Sequence, residues 1–432
     1  MNKDIDQYRV FCSNENKYVY TWADRPPISC PIDGSHTIDT TKIASVGKLP
    51  LTVFPTTSFE EIRTTERTPI IELKSIFGKS SFRDIFVETG TGTINNTVGD
   101  SEFKLQVNGA TDEVWLRSAE RGQYVAGLQG ETGIAVRLAS NMSGNQTLRI
   151  GLFDDSNGFF YEYTSNGLSA VLLRDSIRNV IPRTAFNVDK FDGSGPSKYV
   201  LDPSDGIIYT IRFSWYGYGN VEFRLNTTNA ENKQSSWLGH IYNPYATTSV
   251  KNPNLPISVR MLNNGTVASG TAFVAGRQYS LLGKYLPITR ETATYRLTIN
   301  VNSPANFTPL ISVRRKLGYL GVPVKAFAVD ALCTADLVLQ LRTQATITNP
   351  TWTTPLDTDP NDTATEVDVA ATAITGGKPI WTALIGGNNR GSSARLEIAY
   401  DLPEFDTLSL IAKSVTGGNN TVSVIFRWTE GW

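Results

Sequence analysis

Two stretches of this sequence alternate apolar and polar residues and reverse direction at a glycine-bearing turn. Residues 149–163 carry aliphatic and aromatic residues on both sides of a turn at 154–158, and residues 207–225 repeat the arrangement around a second turn. A period of two residues is typical of β-strands that have one face on a core and the other in water. The sequence therefore predicts two hairpins, each supplying half of a sandwich core.

Similar runs, separated by Asn-Gly and Gly-Gly turns, continue along most of the chain. Short strands at fairly regular spacing favour a sandwich or jelly roll over alternating strands and helices. We therefore predict an all-β protein in which residues 68–292 form a jelly-roll sandwich and residues 293–432 form a second β-sandwich.

Residues 1–52 form a distinct N-terminal unit, joined to the jelly roll by a polar linker at 53–67. Its first two apolar runs flank a polar turn at 13–16, which is a hairpin pattern. A unit this small carries little core of its own, so its aromatic residues are expected to pack on a partner surface. The residues predicted to anchor the chain in this way are Tyr8, Phe11, Tyr18, Tyr20 and Trp22.

The same unit contains three side chains that are able to bind a metal, Cys12, Cys30 and His36. A closed zinc site normally has four ligands and closely spaced Cys or His pairs, and those pairs are missing here. The sequence therefore predicts buried free thiols, a turn histidine, no metal and no cofactor. A zinc site and a Cys12–Cys30 disulfide remain the alternatives.

Composition excludes some classes of function. The 432 residues include 40 Lys and Arg and 41 Asp and Glu, a net charge of -1, whereas proteins that hold nucleic acid usually have a basic excess. The sequence shows neither a signal peptide nor an apolar run long enough to span a membrane. We expect synthesis in the cytosol, and neither nucleic acid nor a membrane as partner.

Candidate catalytic groups are sparse. The sequence has two histidines, and no Ser or Cys lies near either in a known motif, so we expect no enzyme activity. The carboxylates at 154–155 and the pair Asp189 and Asp192 are ordinary turn formers, although a glycosidase would also need paired carboxylates.

Aromatic residues give the better indication of a binding site, because flat amphipathic rings stack on sugars and on neighbouring subunits alike. The candidate glycan-binding residues are Trp215, Tyr218, Trp237 and Tyr242.

Several motifs also occur in an order that resembles a known class of proteins. They are residues 8–12, Trp22, Pro26-Pro27, Cys30-Pro31, His36-Thr-Ile38, the turn after Gly151, and the segments 186–193 and 213–221. This order resembles virion-associated structural proteins of tailed bacteriophages, with relatives in large DNA viruses.

The resemblance covers about residues 5–350 and implies a capsid-attached decoration or head-fibre protein, located in the virion and bound to other virion proteins. It implies no catalytic residues. The middle domain also looks concanavalin-like, a fold used for carbohydrate binding as well as for structure, so a host-surface glycan receptor is the alternative function.

A homo-oligomer, most plausibly a trimer, is also expected. A net charge near zero gives little self-repulsion, and exposed sheet edges are readily covered in a closed symmetric assembly.

Overall fold

A computed structural model describes residues 6–23, 25–48, 66–229, 232–283, 285–356, 358–388, 390–396 and 400–431. The chain divides into two compact units, Met1–Thr64 and Thr65–Trp432. Nearly all of the regular structure is antiparallel strand, which confirms the predicted all-β class. Among the described residues, no helix is long and apolar enough to cross a membrane.

The first unit contains an antiparallel sheet, here called the N-terminal sheet. Its strands are β1 (Asp6–Cys12), β2 (Lys17–Ala23) and β3 (Ile38–Lys48), in the order β2-β1-β3. β1 and β2 pair across the turn predicted at 13–16, from Cys12 opposite Lys17 to Asp6 opposite Ala23. The predicted linker at 53–67 lies outside the described residues, apart from its last two positions.

The second unit begins with a sandwich whose first layer we call the front sheet. It follows the order β13-β12-β11-β10-β17-β8-β5. Its strands are β5 (Asp84–Thr89), β8 (Glu113–Arg121), β10 (Thr147–Phe153), β11 (Asn157–Thr164), β12 (Gly167–Arg174), β13 (Ile177–Pro182) and β17 (Pro256–Leu262).

The facing layer, the back sheet, follows the order β16-β15-β14-β9-β18-β7-β6, with β4 also paired to β18. Its strands are β4 (Arg67–Leu73), β6 (Thr93–Asn95), β7 (Phe103–Val107), β9 (Gln129–Leu138), β14 (Ile207–Phe213), β15 (Val221–Thr228), β16 (Gln234–Tyr242) and β18 (Gly270–Leu282).

The two predicted hairpins face each other across this sandwich. β10 pairs with β11 in the front sheet, and β14 pairs with β15 in the back sheet. Between them the Tyr161 ring lies edge-on to Phe223 at 5.3 Å, and the Tyr163 and Tyr209 hydroxyls are 2.8 Å apart in the buried core. The two predicted hairpins therefore line opposite sides of one sandwich core, but other strands of both sheets supply most of its residues, so neither hairpin provides the predicted half.

The outer face of the front sheet carries buried apolar residues, whereas the period-two pattern predicted polar residues exposed to solvent on that face. Trp115, Phe153 and Phe160 form a second apolar cluster there, with Trp115 and Phe153 stacked at 5.9 Å. The guanidinium of Arg260 lies 4.5 Å from the Trp115 ring centre and covers it. Long cationic side chains shield such surfaces because their stems are apolar and their heads reach water.

The rest of the second unit is another sandwich. One sheet contains β19 (Arg290–Asn300), β21 (Val324–Cys333), β26 (Arg390–Arg395) and β28 (Thr421–Glu430). The other contains β20 (Thr308–Arg315), β22 (Leu337–Thr348), β23 (Trp352–Thr353), β24 (Thr365–Asp368), β25 (Ala373–Ile385) and β27 (Thr407–Ser414). Side chains of both sheets form one apolar core centred on Phe426 and Trp428. The boundary predicted at 292/293 falls inside β19.

The two sandwiches meet along a polar seam. At the end of β8, the Arg121 guanidinium donates to the Glu404 carboxylate at 2.6 Å and to Asp154 at 2.9 Å. The Glu404 side chain is 1% exposed and that of Arg121 is 6% exposed. Beside this ion pair, the Phe82 and Tyr400 rings stack at 4.5 Å. These contacts explain why the two sandwiches form one compact unit.

Replacing Glu404 with Ala should lower the free energy of unfolding of Thr65–Trp432 by about 3–5 kcal/mol, because it leaves a buried guanidinium without its strongest partner. Chemical denaturation of the full chain measures this change. Lys251→Ala is the matched control, since it removes the exposed Asp175–Lys251 pair and should cost less than about 1 kcal/mol. Equal losses in the two variants would contradict a structural role for the seam.

Candidate functional site

The N-terminal sheet presents an aromatic face. The register places Phe11 opposite Tyr18 and Arg9 opposite Tyr20, so these four residues share one side of the β1–β2 ribbon. Tyr18 is 45% exposed and Tyr20 is 58% exposed. We call this surface, Arg9, Phe11, Tyr18 and Tyr20, the aromatic face.

Cations reinforce the aromatic face. The Arg9 guanidinium lies 4.7 Å from the centre of the Tyr18 ring, and the Lys42 ammonium lies 4.6 Å from that of Phe11. The Phe11 and Tyr18 rings meet edge-on at 5.1 Å. Lys42 is also paired with the Asp39 carboxylate at 3.1 Å. The face therefore combines partly exposed aromatic rings with cationic side chains, a composition that suits an interface with a partner protein.

The remaining predicted anchoring residues lie elsewhere. Tyr8 is on the opposite side of β1, where it is buried with Val10 and Cys12. Trp22 pairs with Gln7 in the register, and its side chain lies outside the described part of the structure.

The structure brings Cys12, Cys30 and His36 together. Their ligand atoms all lie within 4.8 Å of one another, and both cysteines are buried. No closely spaced Cys or His pair marks this cluster in the sequence, because Cys12 comes from a strand end and the other two residues from a separate loop.

A second aromatic surface lies on the turn between β14 and β15. Tyr216 and Tyr218 are 65% and 62% exposed at its tip. The turn is tight: a Cβ at Gly219 would lie 1.2 Å from the Ser214 carbonyl oxygen, so only glycine fits there. The backbone N–H of Ser249 donates to the Gly217 carbonyl at 3.0 Å and ties the turn to the loop that carries Tyr245. We call Tyr216, Tyr218 and the 97% exposed Tyr245 the tyrosine tip.

Trp215 supports this turn from below and is only partly exposed. Its indole N–H donates to the Val250 carbonyl at 3.2 Å, and its ring meets Tyr124 edge-on at 5.6 Å. The Tyr124 hydroxyl in turn accepts the backbone N–H of Tyr216 at 3.1 Å. Burial raises the pKa of Tyr124, so this hydroxyl stays protonated at neutral pH.

Trp237 and Tyr242, two of the four predicted glycan-binding residues, pack against the sandwich core from the edge strand β16. Tyr242 pairs with Val221, next to the tyrosine tip, whereas Trp237 pairs with Leu225 further along the strand. The five-residue separation corresponds to about 16 Å along a strand. Trp215, Tyr218 and Tyr242 therefore lie at one end of the hairpin, and Trp237 lies at the other.

The long loop between β13 and β14 uses its carboxylates structurally. Asp189 is buried and accepts the backbone N–H groups of Phe191 at 2.8 Å and Ser197 at 2.7 Å. Asp192 accepts the backbone N–H of Ser194 at 2.9 Å. Both side chains act as turn formers, which leaves little support for a paired-carboxylate catalytic site.

Two carboxyl groups with raised pKa values lie at the seam between the sandwiches. Burial, together with the negative charge of Asp401, raises the pKa of Glu120 to about 7. Burial also raises the pKa of Asp401, while its ion pair with Arg315, at 2.8 Å, opposes that shift. Nearby, Arg117, Gln344 and other residues line an open groove of about 490 Å³.

Comparison with known proteins assigns no family: no family model and no curated protein matches the chain. Among solved structures, an endo-1,3-beta-glucanase from Streptomyces sioyaensis is similar at 10% identity and a TM-score of 0.35, covering 50% of this chain and 97% of that one. Peanut lectin is similar at 7% identity and a TM-score of 0.32, covering 51% and 100%.

A carbohydrate esterase from the Shiga toxin-encoding bacteriophage phi24B is similar at 9% identity and a TM-score of 0.32, covering 51% of this chain and 100% of that one. Identities and TM-scores this low assign neither a ligand nor an activity, because unrelated functions share such folds.

Sequence reasoning missed two groups that shape these surfaces. Tyr124 orders the tyrosine tip from a segment about 90 positions away in the chain, and no local pattern marks it. The cations Arg9 and Lys42 lie over the rings of Tyr18 and Phe11. The sequence pattern shows that Arg9 and Phe11 share one side of β1, whereas the position of Lys42 depends on the pairing of β3 with β1.

Glu120→Gln should flatten the dependence of stability on pH. Because the folded pKa of Glu120, about 7, lies above its usual 4.5, ionisation favours the unfolded chain, and the free energy of unfolding falls as pH rises between those values. The variant should be more stable than wild type by about 3 kcal/mol at pH 8 and similar to it below pH about 4.5.

Denaturation curves across this pH range measure the effect, and Glu72→Gln, at an exposed position on β4, is the control. A wild-type pH profile in Glu120→Gln would show that Glu120 is not the titrating group.

Proposed function

We propose that this protein is a non-catalytic structural component of a virus particle, a capsid-attached decoration or fibre protein that docks through its aromatic face onto a neighbouring virion protein. The observation that carries the proposal is the exposure of Tyr18 and Tyr20 on a small, separate sheet. Adjacent exposed aromatic residues mark interaction surfaces more often than single exposed rings do, and Tyr and Arg are enriched at the hot spots of interfaces. The virion setting comes from the sequence resemblance.

The chemistry of the face indicates the kind of partner. Arg9 and Lys42 each lie over an aromatic ring, and Lys42 is already paired with Asp39 at 3.1 Å. A partner loop with a carboxylate for Arg9 beside an apolar pocket would therefore complement both the charge and the rings. A second copy of the chain in a symmetric trimer is the other occupant expected from the sequence. Light scattering of the purified chain distinguishes self-association from docking on a different protein.

The double variant Tyr18→Ser/Tyr20→Ser should reduce incorporation into particles at least about tenfold, since hot-spot aromatics contribute about 2 kcal/mol or more. The amount of the protein in gradient-purified particles, measured by quantitative mass spectrometry, tests this. Tyr295→Ser, a 43% exposed tyrosine on β19, is the matched control and should be incorporated normally.

Circular dichroism of the double variant confirms that the sheets remain folded. Wild-type incorporation of a folded double variant would rule out anchoring through the aromatic face.

A second candidate function, glycan binding, is supported by the tyrosine tip. Exposed rings at a sandwich end, held by backbone hydrogen bonds, offer flat surfaces for stacking on sugar faces. Trp215 and Trp237 are poor probes of this function, because both indoles donate to backbone carbonyls and pack on the core. Tyr218 and Tyr245 can be changed with little effect on packing.

If the tip binds a glycan, Tyr218→Ala/Tyr245→Ala should weaken the binding of any glycan detected on an array at least about tenfold, while the denaturation midpoint stays unchanged. The array is probed with the full chain, and affinities for the detected glycans are measured by calorimetry. Tyr295→Ala serves as the surface control. Undiminished binding by the double variant, or no glycan bound by wild type, would remove this candidate.

A further inference from the structure

The N-terminal sheet ends at a cluster of soft metal ligands contributed by three parts of the chain. Cys12 is the last residue of β1, and Cys30 and His36 bound the loop that leads into β3. The backbone N–H of Cys30 approaches the His36 carbonyl at 3.4 Å, and the N–H of Ser13 donates to the Thr37 carbonyl at 3.0 Å. These contacts close the loop and bring its two ends against Cys12.

The distances fit a shared metal ion. His36 Nδ1 lies 3.8 Å from Cys12 Sγ, and all three ligand atoms lie within 4.8 Å of one another. With Zn–S of about 2.3 Å and Zn–N of about 2.0 Å, tetrahedral ligands are separated by about 3.6 Å. A small inward movement of the side chains therefore places all three atoms on one ion.

The second ring nitrogen of His36 provides a separate observation in favour of metal binding. His36 Nε2 lies 3.6 Å from the Asp33 carboxylate, on the other ring nitrogen from the one that faces Cys12. Asp33 is itself fixed by the backbone N–H and hydroxyl of Ser35, at 2.9 and 2.7 Å. A carboxylate on the outer nitrogen of a histidine whose inner nitrogen faces two thiols is the arrangement that orients metal-binding histidines.

We propose that Cys12, Cys30 and His36 bind one Zn²⁺ ion, which holds the loop 30–36 to the end of β1. Two thiolates and an imidazole select a soft or borderline ion with tetrahedral preference, and two thiolates neutralise the charge of Zn²⁺ at this buried position. The Glu15 carboxylate lies 3.6 Å from His36 Nδ1 but outside the three-residue cluster, so a water molecule is expected to complete the coordination.

A metal has a clear structural role in this unit. Among the described side chains of the N-terminal unit, the buried ones are Tyr8, Val10 and Cys12 of β1 and Cys30 of the neighbouring loop. A sheet with so small a core gains much of its stability from a staple. A Cys12–Cys30 disulfide would also cross-link the loop to β1, but it would not account for the position of His36 beside both cysteines and Asp33.

The full chain, purified under reducing conditions without chelators and dialysed against zinc-containing and then zinc-free buffer, should retain about one zinc per chain by elemental mass spectrometry. Cobalt added to the demetallated chain should give thiolate-to-cobalt charge-transfer bands. Cys12→Ser and Cys30→Ser should lose both signals. Cys333→Ser should keep both, because that buried thiol lies in the C-terminal sandwich, where it donates to the Gly386 carbonyl.

Asp33→Asn keeps all three ligands and should bind zinc about 10- to 100-fold more weakly, which a competing chelator measures. The wild-type zinc content and cobalt spectrum keep the proposal testable even if the cysteine variants do not fold. A zinc-free wild-type chain, a Cys12–Cys30 disulfide in non-reducing peptide maps, or zinc retained by both cysteine variants would overturn it.

Discussion

The junction between the two sandwiches of the second unit is built around a buried cation, the Arg121 guanidinium at the end of β8. It meets Asp154 and the Asn254 carbonyl within the first sandwich and Glu404 from the second. A charge this well buried is tolerable only when each partner is in place, since an unpaired buried ion costs several kcal/mol. The two sandwiches are therefore coupled, although each has its own apolar core. Separating them would remove Glu404 from the Arg121 guanidinium and leave that charge without one of its partners.

The features predictable from sequence are the local ones. Alternation with period two identifies β10, β11, β14 and β15, because neighbouring residues of a strand face opposite sides of a sheet. The close contact of β10 and β11 explains Gly151, where a Cβ would lie 2.3 Å from the Phe159 carbonyl oxygen. Fold class follows from many such local signals added together.

The sites were less predictable, because exposure and long-range pairing decide them. Trp215 and Tyr218 are three positions apart and similar in character, yet one supports the turn from inside and the other is largely in water. Strand alternation ends in the turn, where Tyr216 and Gly217 have positive φ, so the period no longer tells which ring is exposed. Arg121 and Glu404 are 283 positions apart, and only the fold reveals their contact.

The two units differ in how much apolar surface they bury, and therefore in what else they need for stability. The sandwiches bury enough apolar surface to accommodate polar groups at their seam, whereas the N-terminal sheet buries one thin face and leaves its aromatic face to solvent. A sheet that buries so little apolar surface is expected to gain stability from a partner on its exposed aromatic face or from a cross-link on its buried face. The aromatic face and the Cys12–Cys30–His36 cluster lie on opposite sides of β1, so the proposed docking surface and the proposed metal site use different residues.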